Sequence, residues 1–305
     1  MSNNLSDDYR VLSIQSHVVY GYVGNKSVVF PLQVLGFDVD AINSVQFSTH
    51  VGYKHWSGQV LDSNDLNVLF DNLVKNDLHK RYTHIMTGYV GNESFLESIS
   101  QVIKTIKDEN PGALYHCDPV MGDNGKLYVP KELVPVYRNQ IIPIADVITP
   151  NQFELELLTD IKINSESDAI KALEALHEIG IETVVITSSN LADSDSHLVT
   201  YASSRANGRT QRIKLLVPKL KAIFTGSGDL FAALFMAWFT KTNKDLKTTC
   251  ERTLSTLWSV LNRTYNYAIQ QTGGVESYSN IELRLIQSRA DLENPNITIK
   301  AIDLK

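Results

Sequence analysis

The sequence predicts an α/β fold in one domain: a central, mostly parallel sheet with helices on both faces. Three observations predict it. Short apolar, β-branched runs alternate with segments of helical spacing along most of the chain, the pattern of strands separated by packed helices. No internal repeat and no Pro/Gly/Ser-rich linker divides the core. Residues 10–295 therefore read as one domain, with a flexible tail over 1–9 and a C-terminal segment over 296–305. The polar clusters follow the apolar runs, at 16–17, 47–53, 87–92, 118–125, 149–154 and 187–190. Ligands of an open parallel sheet sit beyond the C-terminal strand ends, so these clusters are expected to converge on one edge.

The elements follow in order. The first strand covers 11–14, and Gly21 and Gly24 mark the turn after it. A helix runs from Asn25 or Lys26 to Leu35, bent at Pro31 and stopped by Gly36. Residues 39–42 form the second strand. Leu66, Leu69, Phe70, Leu73 and Leu78 lie close to helix spacing over 64–79, and 82–86 is a strand. Phe95, Ile99, Val102, Ile103 and Ile106 share one face of a helix over 94–107. The next strand is 113–117, and apolar runs over 136–142 and 145–148 surround Pro143. A short helix starts at Asn151 and runs through Leu158. Another covers 165–179 and ends at Gly180, before a β-branched strand over 183–186. Residues 197–201 and 211–217 flank the polar stretch SSRANGRT and read as a hairpin or a pair of outer strands. Helices return over 228–239 and from about 246 to 269. Residues 282–286 alternate like a strand, with a terminal helix as the alternative.

Composition narrows the function. Of 305 residues, 43% are hydrophobic, which suits a substantial core, and the formal net charge is −6. An acidic chain without basic stripes is a poor nucleic-acid binder. A pocket can still hold phosphates through backbone amides and a metal. Two cysteines, Cys117 and Cys250, are too few for a disulfide framework and point to a reducing compartment. Cys117 closes an apolar run and reads as core. The polar N-terminus does not resemble a signal peptide, and no run of about eighteen apolar residues suggests a membrane span. The expected location is cytoplasmic, with no signal against a nuclear pool.

The strongest local signal is the run FTGSGDLFAA over 224–233. Gly226 and Gly228 allow a tight turn whose amides point one way. The helix N-terminus adds unpaired N–H groups and a favourable dipole, which makes an anion site. Asp229 can cap that first turn. It can also face a hydroxyl nucleophile as general base in phosphoryl transfer while the amides stabilise the moving charge. A second cluster, CDPVMGDNG over 117–125, places Asp118 directly after a strand and Asp123 in a glycine-rich loop. These are either turn formers or carboxylates of the kind magnesium prefers. In a third, TPNQFE over 149–154, Asn151 and Glu154 have capping-box spacing. The alternative is that both face nucleotide phosphates and a hydrated metal.

Several motifs are absent. GYVGNKS over 21–27 is too short for a P-loop and has Asn25 where glycine is required. The first strand-helix turn lacks the GxGxxG dinucleotide fingerprint, and no GxSxG surrounds a plausible serine nucleophile. His50 and His55 are five apart and HExxH is missing, so the histidines make no zinc motif. His177 reads as structural, whereas His17 and His50 fall in the expected cleft.

The segments RVLSIQSHVVYGYVGNKSVVFPLQVLGFDVDAINSVQFSTHVGYKHWSGQVL, THIMTGYVGN, YHCDPVMGDNGKLYVP, ADVITPNQFELELLT, VVITSS and FTGSGDLFAALFMAW are very similar, in order and spacing, to those of eukaryotic pyridoxal kinases. The resemblance runs from Arg10 to about Ile286. It implies the ribokinase-like superfamily, with MgATP, a monovalent cation such as K⁺, and a homodimer. The implied reaction moves the ATP γ-phosphoryl to the 5′-hydroxyl of pyridoxal, pyridoxine or pyridoxamine. The resemblance also implies site roles. Asp229 is the base, and Gly226, Ser227 and Gly228 form the anion hole. Asp118 and Glu154 organise metal and phosphates, and Thr149 belongs to a cation shell. Ser16 bonds the pyridine nitrogen, Tyr89 packs on the ring, and His50 lies close to the substrate. Asp123 and Tyr128 belong to a covering loop. Asn151, Thr187 and Ser188 touch the phosphates, and 216–224 borders the adenine.

The sequence also departs from the family. Val51 stands where many animal members have threonine, which removes a hydroxyl contact on the pyridoxal 3-hydroxyl side. The GDNGKLYVP loop is shorter than in mammalian relatives, and Ser227 replaces a common threonine. Ser16 and VQFSTHVGY favour pyridoxal over hydroxymethylpyrimidine as substrate. A silent carrier of pyridoxal phosphate is the alternative of a different class, and the intact Asp118 and GSGD argue against it.

Overall fold

The structure, a computed structural model, describes residues 8–192, 195–206 and 208–304. In chain order the strands are β1 (Arg10–Val18), β2 (Asp38–Phe47), β3 (Gly58–Val60), β4 (His84–Thr87) and β5 (Leu114–Cys117). Then come β6 (Gly122–Asp123) and β7 (Lys126–Leu127), which pair only with each other. They are followed by β8 (Val147–Ile148), β9 (Thr183–Ser189), β10 (His197–Ala206), β11 (Arg209–Pro218) and β12 (Ala301–Asp303). The main sheet has ten strands in the order β12-β11-β10-β9-β8-β5-β4-β1-β2-β3. The six from β9 to β2 are mutually parallel, and the strands flanking them pair antiparallel. This is the mostly parallel sheet that the alternating pattern predicts.

Helices cover both faces. In chain order they are α1 (Asn25–Val34), α2 (Ser63–Lys75), α3 (Glu93–Glu109), α4 (Leu133–Val136), α5 (Gln152–Thr159), α6 (Glu166–Glu178), α7 (Ser227–Lys241), α8 (Leu246–Ala268) and α9 (Arg289–Glu293). One core joins residues of α2, α3, α4, α5 and α6 to the sheet; the other joins α1, α7, α8 and α9 to its opposite face. Because both faces are covered, central strands bury consecutive residues rather than alternating, as in β4 and β9. All ten residues from Leu230 to Phe239 of α7 are buried. Phe231, Phe235 and Phe239 stack at successive i, i+4 positions, with centroids 6.0 and 5.5 Å apart. This packing anchors the helix that opens with GSGD.

The strands β1 and β2 run well past the apolar stretches that announce them. Their polar continuations are satisfied internally. Ser13 Oγ donates to Asn25 Oδ1 at 2.8 Å, and Asn25 Nδ2 donates to the carbonyls of Gln15 and Ile42. A buried polar side chain with partners does not end a strand. The apolar stretch before β8 is a distorted helical run, with a π turn over Tyr137–Ile141 and a 3₁₀ turn over Ile142–Ile144 that contains Pro143. The 197–218 region is a hairpin; Asn207 lies outside the described residues. Residues 282–286 form no strand: an irregular stretch leads into a 3₁₀ turn over Ile286–Ser288 and then α9. Alternation there reflects packing of Leu283 and Leu285, both buried, against the second core. At the other end, residues 1–7 of the expected tail lie outside the described residues. Tyr9 stacks on Phe37 at 5.0 Å. The final strand, β12, pairs with β11 at the sheet edge. Cys117 and Cys250 are buried and free.

Candidate active site

The site forms where loops after β1, β5 and β8 meet the start of α7, at the C-terminal edge of the parallel strands. Gly226 caps α7 with φ +83°, and a side chain there would collide with the Tyr22 carbonyl oxygen. Glycine is therefore required both by the left-handed backbone and by the close approach. Ser227 opens the helix and its Oγ donates to the Phe224 carbonyl at 3.3 Å. Asp229 lies in the first turn, and its Oδ2 accepts the Gly24 N–H at 2.8 Å. Gly24 has φ +51° and leaves no room for a side chain against Ser16. The turns at 21–24 and 224–229 thus meet backbone to backbone, with the Asp229 carboxylate bridging them. Burial pushes that carboxyl above its ordinary range, and the Gly24 amide opposes the rise.

Asp118 follows β5 directly and is buried. A methyl at Gly228 would stand 3.9 Å from Asp118 Oδ2, which places the carboxylate beside the anion-hole turn. Burial, then the charges of Glu154 and Asp229, push Asp118 well above the ordinary carboxylate range. Glu154 is also buried. Its Oε1 accepts the amides of Met121 and Gly122, at 2.9 and 3.3 Å, and its Oε2 accepts that of Asn151 at 2.9 Å. Asn151 Oδ1 in turn accepts the Glu154 amide, which completes a capping box at α5. Asn151 Nδ2 donates to the Gly122 carbonyl at 2.7 Å. One carboxylate therefore ties α5 to the glycine-rich loop. Burial raises Glu154 to about 7 against the pull of its three amides.

That shift predicts a pH effect. Between the ordinary value of 4.5 and about 7, the folded chain holds a proton that the unfolded chain has released. Stability therefore falls as pH rises through this window. Thermal unfolding in chelator is expected to show Tm dropping by a few degrees from about pH 5 to pH 8. Asp118→Asn removes a second carboxyl that burial raises above its ordinary range, and so makes the drop smaller.

Thr149 follows β8, is buried, and shares a 3.0 Å hydrogen bond with His116 Nε2. Burial pushes His116 down to about 3, so this imidazole is neutral. Ser16, against Gly24, is buried and Tyr89 half-buried; the Tyr89 carbonyl accepts from Ser44 Oγ at 2.6 Å. His50 is buried, with Nδ1 accepting the Gly52 amide at 3.2 Å and Nε2 lying 3.5 Å from Glu282 Oε1. Val51 is 53% exposed and Tyr128 52% exposed. Asp123 caps its own hairpin, accepting from the Asn124 amide and side chain, and the Tyr128 amide donates to the Met121 carbonyl. Thr187 is joined to Pro150 by its amide at 2.9 Å, and Ser188 follows in β9. The structure thus brings Asp229, Asp118, Glu154, Asn151 and the GSGD turn together through direct contacts or charge. Val51 and Tyr128 are exposed, Val51 next to His50 in the chain; partial burial, then the charges of the nearby Asp123 and Glu154, raise the Tyr128 hydroxyl above the ordinary range. His177 is structural, with both ring nitrogens bonded, to the Ile181 carbonyl and Ser203 Oγ.

Sequence reasoning missed Glu282. Its carboxylate accepts from the Tyr22 amide at 2.9 Å and from the Tyr53 hydroxyl at 3.0 Å. Its partners lie more than 200 residues away along the chain, so no local motif announces it.

A family model described as phosphomethylpyrimidine kinase matches residues 72–276. Sheep (Ovis aries) pyridoxal kinase is 48% identical over 97% of this chain and 99% of its own length. The pyridoxal kinase of Arabidopsis thaliana is 49% identical over 97% and 95%. Among solved structures, pyridoxal kinase from Leishmania donovani in complex with ADP and pyridoxamine superposes with a TM-score of 0.90. It has 36% identity, covering 98% of this chain and all of that one. With near-half identity over its full length and a shared architecture, the chain belongs to the eukaryotic pyridoxal kinase family of the ribokinase-like superfamily.

Proposed function

We infer that this chain transfers the γ-phosphoryl group of ATP to the 5′-hydroxymethyl group of pyridoxal, pyridoxine and pyridoxamine. The observation that carries the reading is Asp229, bridged to Gly24 at the N-terminus of α7 and flanked by the buried Asp118. The substrate hydroxyl sits against Asp229, which orients it and accepts its proton as the new O–P bond forms. The amides of Gly226, Ser227 and Gly228, with the helix dipole behind them, stabilise charge on the moving phosphoryl group. Ser16 offers a hydroxyl to the pyridine nitrogen, Tyr89 a wall for the ring, and His50 and Val51 complete that side. Asn151, Thr187 and Ser188 face the phosphates, and the hairpin carrying Asp123, with Tyr128 just beyond it, closes over them and excludes water.

The acids fit a divalent cation. Among the described residues, no cationic side chain figures among the charges acting on Asp118, so the repulsion from Glu154 and Asp229 that raises it is not offset there. Among the described residues, no three His, Cys, Asp or Glu side chains form a ready-made metal site. That suits magnesium, which keeps waters and draws the rest of its shell from phosphates. Asp118 and Glu154 would hold it, and Thr149, with neutral His116 behind it, would serve a monovalent cation such as K⁺. When bound, the divalent ion neutralises phosphate charge. We further propose a cytoplasmic homodimer; no described helix is long and apolar enough to cross a membrane.

Turnover tests the reading. Purified chain with ATP, magnesium, potassium and pyridoxal is expected to form pyridoxal phosphate. Chelation should abolish product, and added magnesium should restore it. Turnover that persists in chelator would remove the metal role of the acids. The pyrimidine name of the matching family model supports a second reading, a kinase for hydroxymethylpyrimidine, which shares the ATP site and base.

A further inference from the structure

Glu282 is a largely enclosed carboxylate with no lysine or arginine within ion-pair distance among the described residues. Its side chain is 10% exposed, and among the described residues it faces His50 Nε2 at the long distance of 3.5 Å. Its carboxylate is held by oriented donors from two separate loops, with the charge of Lys26 acting on it from further away. From the turn after β1 comes the Tyr22 amide at 2.9 Å; from the loop after β2 comes the Tyr53 hydroxyl at 3.0 Å. The His50 ring is oriented by its other nitrogen. Nδ1 accepts the Gly52 amide, so the neutral ring carries its proton on Nε2, which faces Glu282 Oε1 at 3.5 Å. The Tyr53 ring packs edge-on against His50 with centroids 4.8 Å apart. Gly21 has φ +98°, and a side chain there would collide with the Glu282 carboxylate. The turn is therefore shaped to receive it.

Two residues beyond Tyr22, the Gly24 amide holds Asp229. The same turn thus carries one amide bound to Glu282 and another bound to the base. We propose that Glu282 is a positioning residue of the transfer reaction: it fixes the Tyr22–Gly24 turn against Asp229 while holding the His50–Tyr53 loop on the substrate side. The assignment rests on the proposed transfer. The side-chain partners of Glu282 are Tyr22, Tyr53 and His50, none of them among the residues assigned to the phosphates. Its effect falls on pyridoxal binding and on the placement of Asp229, and leaves the nucleotide side alone.

Steady-state kinetics on the full chain, with pyridoxal and ATP varied separately, test this in Glu282→Ala, Glu282→Gln and Tyr53→Phe, alongside thermal unfolding. Glu282→Ala is expected to raise the pyridoxal KM about tenfold or more and lower kcat about tenfold. The ATP KM should stay within about twofold. Glutamine keeps an acceptor for Tyr22 but turns its NH₂ towards the His50 N–H, so it should restore part of the loss. Tyr53→Phe should raise the pyridoxal KM about threefold with Tm unchanged. The assignment is overturned if the variants keep wild-type constants, if ATP and pyridoxal KM rise together, or if lost activity merely tracks the unfolded fraction. If Glu282→Ala fails to fold, the other two variants decide. If the wild type makes no product, the transfer reading fails instead, and pyridoxal affinity by calorimetric titration decides the Glu282 assignment by the same pattern.

Discussion

Asparagine at 229 is expected to lower kcat by about 10²–10⁴-fold while ligand binding and Tm stay close to wild type. The amide has the shape of the carboxylate, and its oxygen can still accept the Gly24 N–H that Asp229 Oδ2 takes at 2.8 Å. The α7 turn therefore keeps its bridge to the 21–24 loop. What asparagine lacks is the ability to take a proton from the substrate hydroxyl. It also relieves the repulsion on Asp118, which Asp229 helps to raise, so a loss of stability is not expected. Turnover, pyridoxal and ATP binding, and thermal unfolding should be measured on one preparation. Retained wild-type turnover would remove Asp229 as base. Turnover that fell only in step with Tm would reduce it to a helix-capping residue.

Alanine at 226 should be nearly as damaging, for a different reason. The new methyl meets the Tyr22 carbonyl, and the backbone stands at φ +83°. A non-glycine residue held in such a conformation costs about 1–3 kcal/mol, and the collision adds to this. The backbone must yield either in the turn carrying the anion-hole amides or in the turn that holds Asp229 through Gly24. Losing one preorganised donor of this kind typically costs about 10²–10³-fold in kcat. We expect a loss of that size, a raised ATP KM and a lower Tm. Gly36→Ala provides the comparison. Gly36 also has positive φ, +90°, but nothing lies within 4 Å of an added Cβ. It should lose stability and keep kcat. Equal effects of the two substitutions on kcat would mean that strain alone, and not the shape of the site, governs activity.

The parts of this molecule that sequence reveals are those whose physics is local. Helical spacing locates α3, whose Phe95, Ile99, Val102, Ile103 and Ile106 all prove buried. The spacing of Asn151 and Glu154 announces a capping box, and the box is formed. Two glycines and an acid before an apolar run mark the start of α7. Strand lengths are less legible. Ser13, Gln15 and Ser44 interrupt the apolar signal, yet sit buried inside β1 and β2. Their suitability depends on partners such as Asn25, which only the fold supplies. The same holds for the double use of Glu154, whose contacts to Met121 and Gly122 span more than 30 residues. Glu282 is the extreme case. Its neighbours in sequence suggest a strand; its role comes from two loops at the other end of the chain.

The most direct test of the central claim is a competition read by mass spectrometry. Purified chain, ATP, magnesium and potassium would be given an equimolar mixture of pyridoxal, pyridoxine, pyridoxamine and hydroxymethylpyrimidine, and the phosphorylated products identified. We predict that the three pyridoxal-type phosphates dominate and that Asp229→Asn forms them about 10²–10⁴-fold more slowly. Exclusive formation of the pyrimidine phosphate, by folded wild-type protein, would contradict the account.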